Sequence, residues 1–413
     1  MQGLLGIITF LGFAWLISEN RSRPELKPVL SALVLQVILA FFLMRFDLIR
    51  HGFGSLSGVV ETLKIATQEG TQFVFGYIGG GEIPFIIDPS SQKNTFIFAL
   101  QALPMIMVVS ALSMLLFYWR IMPIIVKGAS WFLQRTLNIG GALGVAAGAK
   151  VLLGNLDAPL LIRPYLKDFT RSEMFAMMTC GMATTSATVM ALYSFILKDT
   201  IDNPIAHILM SSIISIPAAL AISRLMVPQG SNQTDGQLVM PYRFTGWMDA
   251  VSKGTADGLN IFLNVIAMLI VALALVYIAN TILGLLPSVG GTPLSLQRLF
   301  GYLFAPVTWL MGIPWHESAA AGALLGTKTV INEVVAFSDL AALPKDTLSP
   351  RTSLIMTYAL CGFANFSALG IVIGGLGAMV PERRDMIVNL SLKSLISGTL
   401  ATCLSATLAG LLL

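Results

Sequence analysis

Gly154-Asn155-Leu156-Asp157-Ala158-Pro159 sets a carboxylate inside an apolar segment of small residues, and Ile331-Asn332-Glu333-Val334 does the same further along the chain. Each acid is trailed by one signature, Cys180-Gly181-Met182-Ala183 in the first case and Cys361-Gly362-Phe363-Ala364 in the second. The intervening segments agree as well: Arg171-Ser172 begins nine residues before Cys180, and Arg351-Thr352 begins ten before Cys361. Charged side chains at lipid depth are costly and by default mark a solute or ion path. Interrupted apolar segments at matching positions in two halves point to a transporter's binding site. Asp157 and Glu333 are therefore the first candidates for the site.

The surroundings of these segments fix the class. The chain has 413 residues, of which 55% are hydrophobic and only 11% charged, so its apolar surface cannot be hidden in a water-soluble core and it reads as an all-α integral membrane protein. Three separated cysteines offer neither a disulfide framework nor a metal cluster and read as packing residues. His51, His207 and His316 lack ligand spacing, so no metal site is expected. The net charge of +4 fits basic membrane loops better than a nucleic-acid partner. Gly3 to Ser18 is apolar without a basic leader or a small-residue cleavage site, which predicts a retained first span.

Apolar runs predict crossings at 3–18, 29–49, 94–119, 171–196, 205–226, 256–286, 352–379 and 386–412, since roughly 20 residues cross a bilayer. Two further segments, 139–166 and 315–341, are interrupted by Gly154, Pro159 and Asn332. They read as re-entrant helical hairpins, because irregular backbone at membrane depth is tolerated only inside protein or beside a wet cavity. Gly52 to Tyr77, 120–137 and 294–311 read as interfacial amphipathic helices, and Pro228 to Pro241 as a polar connector. With the N-terminus outside, interior connections carry fifteen Lys and Arg and exterior ones eight, including Arg23, Arg50, Lys93 and Lys345 in the tally, which places both termini outside. Three crossings between the hairpins make the repeat inverted, the logic of alternating access.

Helix termini at depth can hold a solute or ion, and Asn155 with Asp157, and Asn332 with Glu333, add donors and acceptors suited to a sugar or heterocycle. The competing explanation is internal ion pairing, Asp157 with Lys150 and Glu333 with Lys328. The run Gly181 to Ala191 suits close helix packing, although Thr184, Thr185, Ser186 and Thr188 make it dense in hydroxyls. Asn365 needs a partner in its apolar helix, and Phe363 could wall a ring.

These residues resemble the concentrative nucleoside transporter family over nearly the whole chain. The resemblance is carried by F-x-F-x-x-x-A-L-P at Phe96 to Pro104 with Ser110-Ala111-Leu112, A-P-L-L-I-R-P-Y-L at Ala158 to Leu166, G-x-L-L-G-x-K-T-V-I-N-E at Gly322 to Glu333, and A-L-C-G-F-A-N-F-S at Ala359 to Ser367. It implies a homotrimer in a bacterial-type cytoplasmic membrane, importing nucleosides on a sodium or proton gradient, with an elevator-type division into scaffold and transport domains. By that division residues 1–137 are mainly scaffold, 138–226 the first transport repeat, 227–314 a connector with scaffold span and interfacial helix, and 315–413 the second transport repeat. Glu333 and Asn365 would bind ribose, with Phe363 lining the pocket and Ala368 standing where the family has a serine. Asn155, Leu156 and Asp157 would address the base, with Val189 beside them.

The first tip departs from the family's usual G-Q-T-E-A-P: both polar side chains are one methylene shorter and leucine replaces threonine. Lys150 stands where sodium-dependent members have a ligating asparagine, with Leu153, Thr184 and Thr185 making up the rest of that cation position. An ammonium cannot ligate a cation. The expected carrier is therefore sodium-independent and proton-coupled, without organic cofactor, with Glu333 or Asp157 as proton carrier and Glu333 favoured unless Lys328 engages it. Two other readings stay open: a carrier of the same fold for another polar solute, suggested by Asn155-Leu156-Asp157 and Ala368, and an intramembrane enzyme with paired acids. The second lacks the Tyr-Asp and Gly-x-Gly-Asp pattern of an aspartyl intramembrane protease.

Overall fold

The structure is a computed structural model describing residues 2–21, 26–85, 96–228, 233–240, 242–288, 293–344 and 346–413, with backbone alone at 47–57 and 272. Arg23, Lys93, Lys345 and residues 229–232 and 241 of the polar connector lie outside the described residues, as do the side chains of Arg50 and His51. Every regular element among the described residues is helical.

The first part comprises α1 (Gln2–Leu16), α2 (Leu26–Arg45), the long α3 (Asp47–Phe75), the short α4 (Phe98–Gln101), α5 (Met105–Tyr118) and α6 (Ile121–Leu137). The first repeat follows as α7 (Gly141–Ala149), α8 (Asp157–Leu160), α9 (Arg171–Ala183), α10 (Ala187–Ile196) and α11 (Pro204–Met226). Then come α12 (Trp247–Leu283) and α13 (Leu296–Leu310), and a second repeat of α14 (Trp315–Val330), α15 (Glu333–Ala342), α16 (Pro350–Leu360), α17 (Phe366–Met379) and α18 (Arg384–Leu412). Among the described residues six helical stretches are long and apolar enough to cross a bilayer, and the shorter apolar helices Gln2–Leu16 and Phe366–Met379 fall in the remaining two predicted spans. Three crossings separate the hairpins, so the repeat is inverted.

Two predicted spans need correction. Residues 171–196 and 352–379 are not continuous helices: each divides into two half-helices, α9 and α10 with a break at 184–186, and α16 and α17 with a break at 361–365. Side chains replace the lost ladder. The Thr185 N–H and hydroxyl reach Ser212 Oγ at 3.3 and 3.1 Å, and Asn365 caps α17 by accepting from the Ala368 N–H at 2.7 Å. Neither break has a proline to announce it; they can exist at depth because buried hydroxyl and amide groups answer the freed backbone.

The starts of the half-helices are well specified. Thr170 and Glu173 form a reciprocal capping box for α9, and Ser349 with Pro350 begins α16. Glu173 also accepts from the Thr234 N–H at 2.7 Å and the Thr234 hydroxyl at 2.8 Å, while the Val239 N–H donates to the Leu161 carbonyl at 2.8 Å. The described part of the connector is thus strapped along the first hairpin. On the far side of the cavity α12 packs closely on α5, because a Cβ at Gly254 or Gly258 would lie 2.6 Å from the Cα of Ala111 or Met107. That close approach brings one polar face of α12 to the cavity.

Candidate solute site

The hairpin tips and both broken helices converge on a cavity of about 390 Å³. Leu153, Asn155, Leu156, Asp157, Val189, Glu333, Phe363, Asn365 and Ala368 all line it. Of the residues singled out from sequence, Lys150, Thr184 and Thr185 are buried beside it without lining it.

At the second tip, Asn332 caps α15 by accepting from the Val335 N–H at 3.0 Å, which places Glu333 in the first helical turn, where a negative charge is favoured. Tyr193 donates its hydroxyl hydrogen to Glu333 Oε1 at 2.7 Å, and Asn365 Nδ2 donates to Glu333 Oε2 at 2.6 Å. Asn365 thus both begins α17 and holds the acid. A carboxylate has about four acceptor positions, so two donors leave Glu333 with capacity for solute hydroxyls. Lys328 is not its partner. The buried ammonium instead donates to the Ala359 carbonyl at 2.8 Å and to Thr402 Oγ1 at 3.1 Å, at the C-terminal end of α16, where a cation is favoured.

The first tip is tied differently. Lys150, 1% exposed, donates to the Gly154 carbonyl and to Asn155 Oδ1, both at 2.9 Å. A Cβ at position 181 would fall 2.7 Å from Asn155 Oδ1 and 3.3 Å from Lys150 Nζ, so Gly181 of the repeated signature makes the room for this arrangement. Asp157 accepts a long bond from the Gly154 N–H at 3.3 Å, and among the described residues no lysine or arginine head group forms an ion pair with it. Neither acid is therefore consumed by internal ion pairing. Leu156 projects against α17, where Gly375 leaves it space.

At the position that the sequence resemblance assigns to a cation, Lys150 brings donors only, the Thr184 hydroxyl donates to the Cys180 carbonyl at 2.8 Å, and the Thr185 hydroxyl lies 3.1 Å from Ser212 Oγ. Among the described residues no three His, Cys, Asp or Glu side chains gather to hold a metal ion. All three cysteines are buried and free.

Sequence reasoning missed Tyr193, Tyr242, Asp257 and Asn264. Tyr242, Asp257 and Asn264 line the cavity, and Tyr193 secures Glu333 from below. Asp257 and Asn264 had a signal, since two polar residues seven apart share one face of an otherwise apolar helix. Tyr193 had none, its partner lying 140 residues away.

Repeated hairpins that bring two acids to one cavity inside a membrane-spanning bundle define a membrane transporter rather than an enzyme. Three family descriptions match along the chain: Na+ dependent nucleoside transporter N-terminus over residues 5–78, nucleoside recognition (Gate) over 99–200, and Na+ dependent nucleoside transporter C-terminus over 207–410. Nucleoside permease NupC of Helicobacter pylori is 32% identical, covering 99% of this chain and 96% of that protein. Human solute carrier family 28 member 3 is 31% identical over 98% of this chain and 59% of its own length. The fold matches CNTnw in an inward-facing substrate-bound state with TM-score 0.89 and 32% identity, covering 100% of this chain and 98% of that one. The chain belongs to the concentrative nucleoside transporter family.

Proposed function

We propose that the protein imports nucleosides across a bacterial-type cytoplasmic membrane by proton symport, independently of sodium. The observation that carries the reading is the cavity wall at Glu333 and Asn365, with the buried Tyr193 bonded to Glu333 from behind that wall. It offers a carboxylate held by two short hydrogen bonds, with acceptor positions to spare, which suits the vicinal hydroxyls of a ribose. Asn155 and Asp157 on the other tip would meet the base, and Phe363 would pack against a ring. The names of the relatives support nucleosides as the solute class.

Lys150 supports the assignment of the coupling ion. Its ammonium is bonded to the carbonyl and amide of the first tip, so the tip is ordered by a covalently attached cation. A carboxylate then remains as the group that can load and release a coupling proton. Glu333 is the better placed, because it touches both the solute cavity and the other repeat. Uptake of labelled nucleoside into proteoliposomes should be unchanged on replacing sodium with choline and should collapse when the proton gradient is dissipated. Robust sodium stimulation would sink the coupling assignment while leaving nucleoside transport standing.

We further infer a homotrimer, built on the exposed apolar faces of α3, α12 and α13, with both termini outside. The two repeats form the moving unit. Sequence alone put the first spans with the scaffold, but α1 packs on α18, and α2 on α11 and α18, which favours counting both helices with the moving unit.

A further inference from the structure

We propose that Asp257 on α12 is a specificity residue: together with Asp157 it selects nucleosides whose base carries an exocyclic amino group, the cytidine and adenosine class, over those with a carbonyl there. The inference rests on the nucleoside reading above and adds the identity of the base.

Asp257 and Asp157 reach one cavity from different parts of its wall, Asp257 from α12 and Asp157 from the first hairpin tip. Each lies within electrostatic range of the other, and the Tyr242 hydroxyl lies within range of both. Asp257 and Asp157 are thus electrostatic neighbours in the lining of one cavity. Neither carboxylate is neutralised by an ion pair among the described residues; Lys253, one turn before Asp257, is bound at 2.9 Å to Asp249 and to the Arg243 carbonyl. Among the described residues the long bond from the Gly154 N–H to Asp157 is the one hydrogen bond this acid pair accepts, which leaves most of its acceptor positions for solute in the cavity that both acids line.

Ionised carboxylates only accept hydrogen bonds. An amino nitrogen carries two hydrogens and can serve both acids, whereas a carbonyl oxygen between two carboxylates finds no donor and meets like charge. The neighbouring amide sharpens the choice. Lys150 can only donate, so its bond to Asn155 Oδ1 fixes which way that amide is turned and leaves Nδ2 as the group offered to solute. A donor beside two acceptors complements a ring nitrogen beside an amino group, as in cytosine and adenine. Uracil and hypoxanthine present a ring N–H beside a carbonyl, the reverse order. Sites built to hydrogen-bond a polar group discriminate strongly against the analogue lacking it.

The test is competition-free uptake by the whole protein in proteoliposomes, comparing kcat/KM for cytidine against uridine and for adenosine against inosine, pairs that differ only in this exocyclic group and the ring nitrogen beside it. The amino member should be favoured by about tenfold in the wild type, and Asp257→Asn should bring each ratio to within about twofold of unity. A purely structural role for Asp257 would scale both members of a pair alike and leave the ratios where they were, which overturns the proposal. Should the variant fail to insert, the wild-type ratios decide: equal uptake of all four nucleosides overturns the inference alone, and uptake of none overturns the nucleoside reading with it.

Discussion

The two hairpin tips are built from the same parts, an acid, an adjacent amide and a buried lysine a few residues upstream, and they use them in opposite ways. At the second tip the lysine turns away, to the end of α16 and to α18, and the acid is held by side chains of other elements, Tyr193 and Asn365. At the first tip the lysine folds back onto its own hairpin, and the acid keeps a single backbone bond. An ammonium spent on remote helices contributes to stability. One spent on the tip shapes the solute surface, and it leaves Asp157 free to meet what enters the cavity.

The largest effect should come from the acids. Glu333→Gln places an amide where two donors already point, and uptake should fall by about 100-fold or more, in line with the loss of two charge-assisted hydrogen bonds. Asp157→Asn should cost only about tenfold, since one long bond is at stake. Equal losses in the two variants would show that the asymmetry does not reach the solute.

The lysines should separate stability from transport. Lys328→Met leaves the Ala359 carbonyl and Thr402 hydroxyl buried without their donor, and should destabilise the detergent-purified protein by about 2 kcal/mol, read as a lowered Tm. Lys150→Met should move Tm less and raise KM more; the reverse order would contradict the division of labour. A milder change, Lys150→Asn, supplies a neutral amide that can ligate, and a few-fold sodium stimulation of uptake is expected, against none expected for the wild type.

The smallest effect is remote from both tips. Glu19, in the turn after α1, accepts from Arg171 Nε and Nη2 at 2.9 and 2.8 Å and from Lys393 at 2.6 Å, joining the start of α9 in the first repeat to α18 in the second. The Arg171 hydrogen bonds lead in holding its carboxyl down to about 2 from 4.5. Because the folded value lies below the unfolded one, this contribution is complete above about pH 4.5 and is lost as pH falls from there towards 2. Glu19→Gln should therefore cost under about 1 kcal/mol at neutral pH and should flatten the acid limb of a Tm against pH curve. An unchanged acid limb would remove Glu19 from that account.

What could be read from the sequence follows from where each signal is stored. The hairpins were legible because an acid among small apolar residues conflicts with its local surroundings, and Asn365 was legible for the same reason. The breaks at 184–186 and 361–365 were not, because they lack proline and depend on Ser212 and on the Glu333–Asn365 pairing, which only the folded chain assembles. The directions of Lys150 and Lys328 were equally hidden: both sit a few residues before an acid, and spacing alone suggested an ion pair that neither forms. Asp257 and Asn264 carried a periodic signal that went unread inside a strongly apolar span.

The four charged side chains around the tips set how the moving unit responds to voltage. Lys150 and Lys328 balance Asp157 and Glu333, so a moving unit with both acids ionised carries no net charge from the tips, and one bound proton gives it a single positive charge. A full elementary charge crossing the membrane potential gains about 2.3 kcal/mol per 100 mV. An interior-negative potential would then pull the protonated unit inward and leave the return of the empty one nearly indifferent to the field.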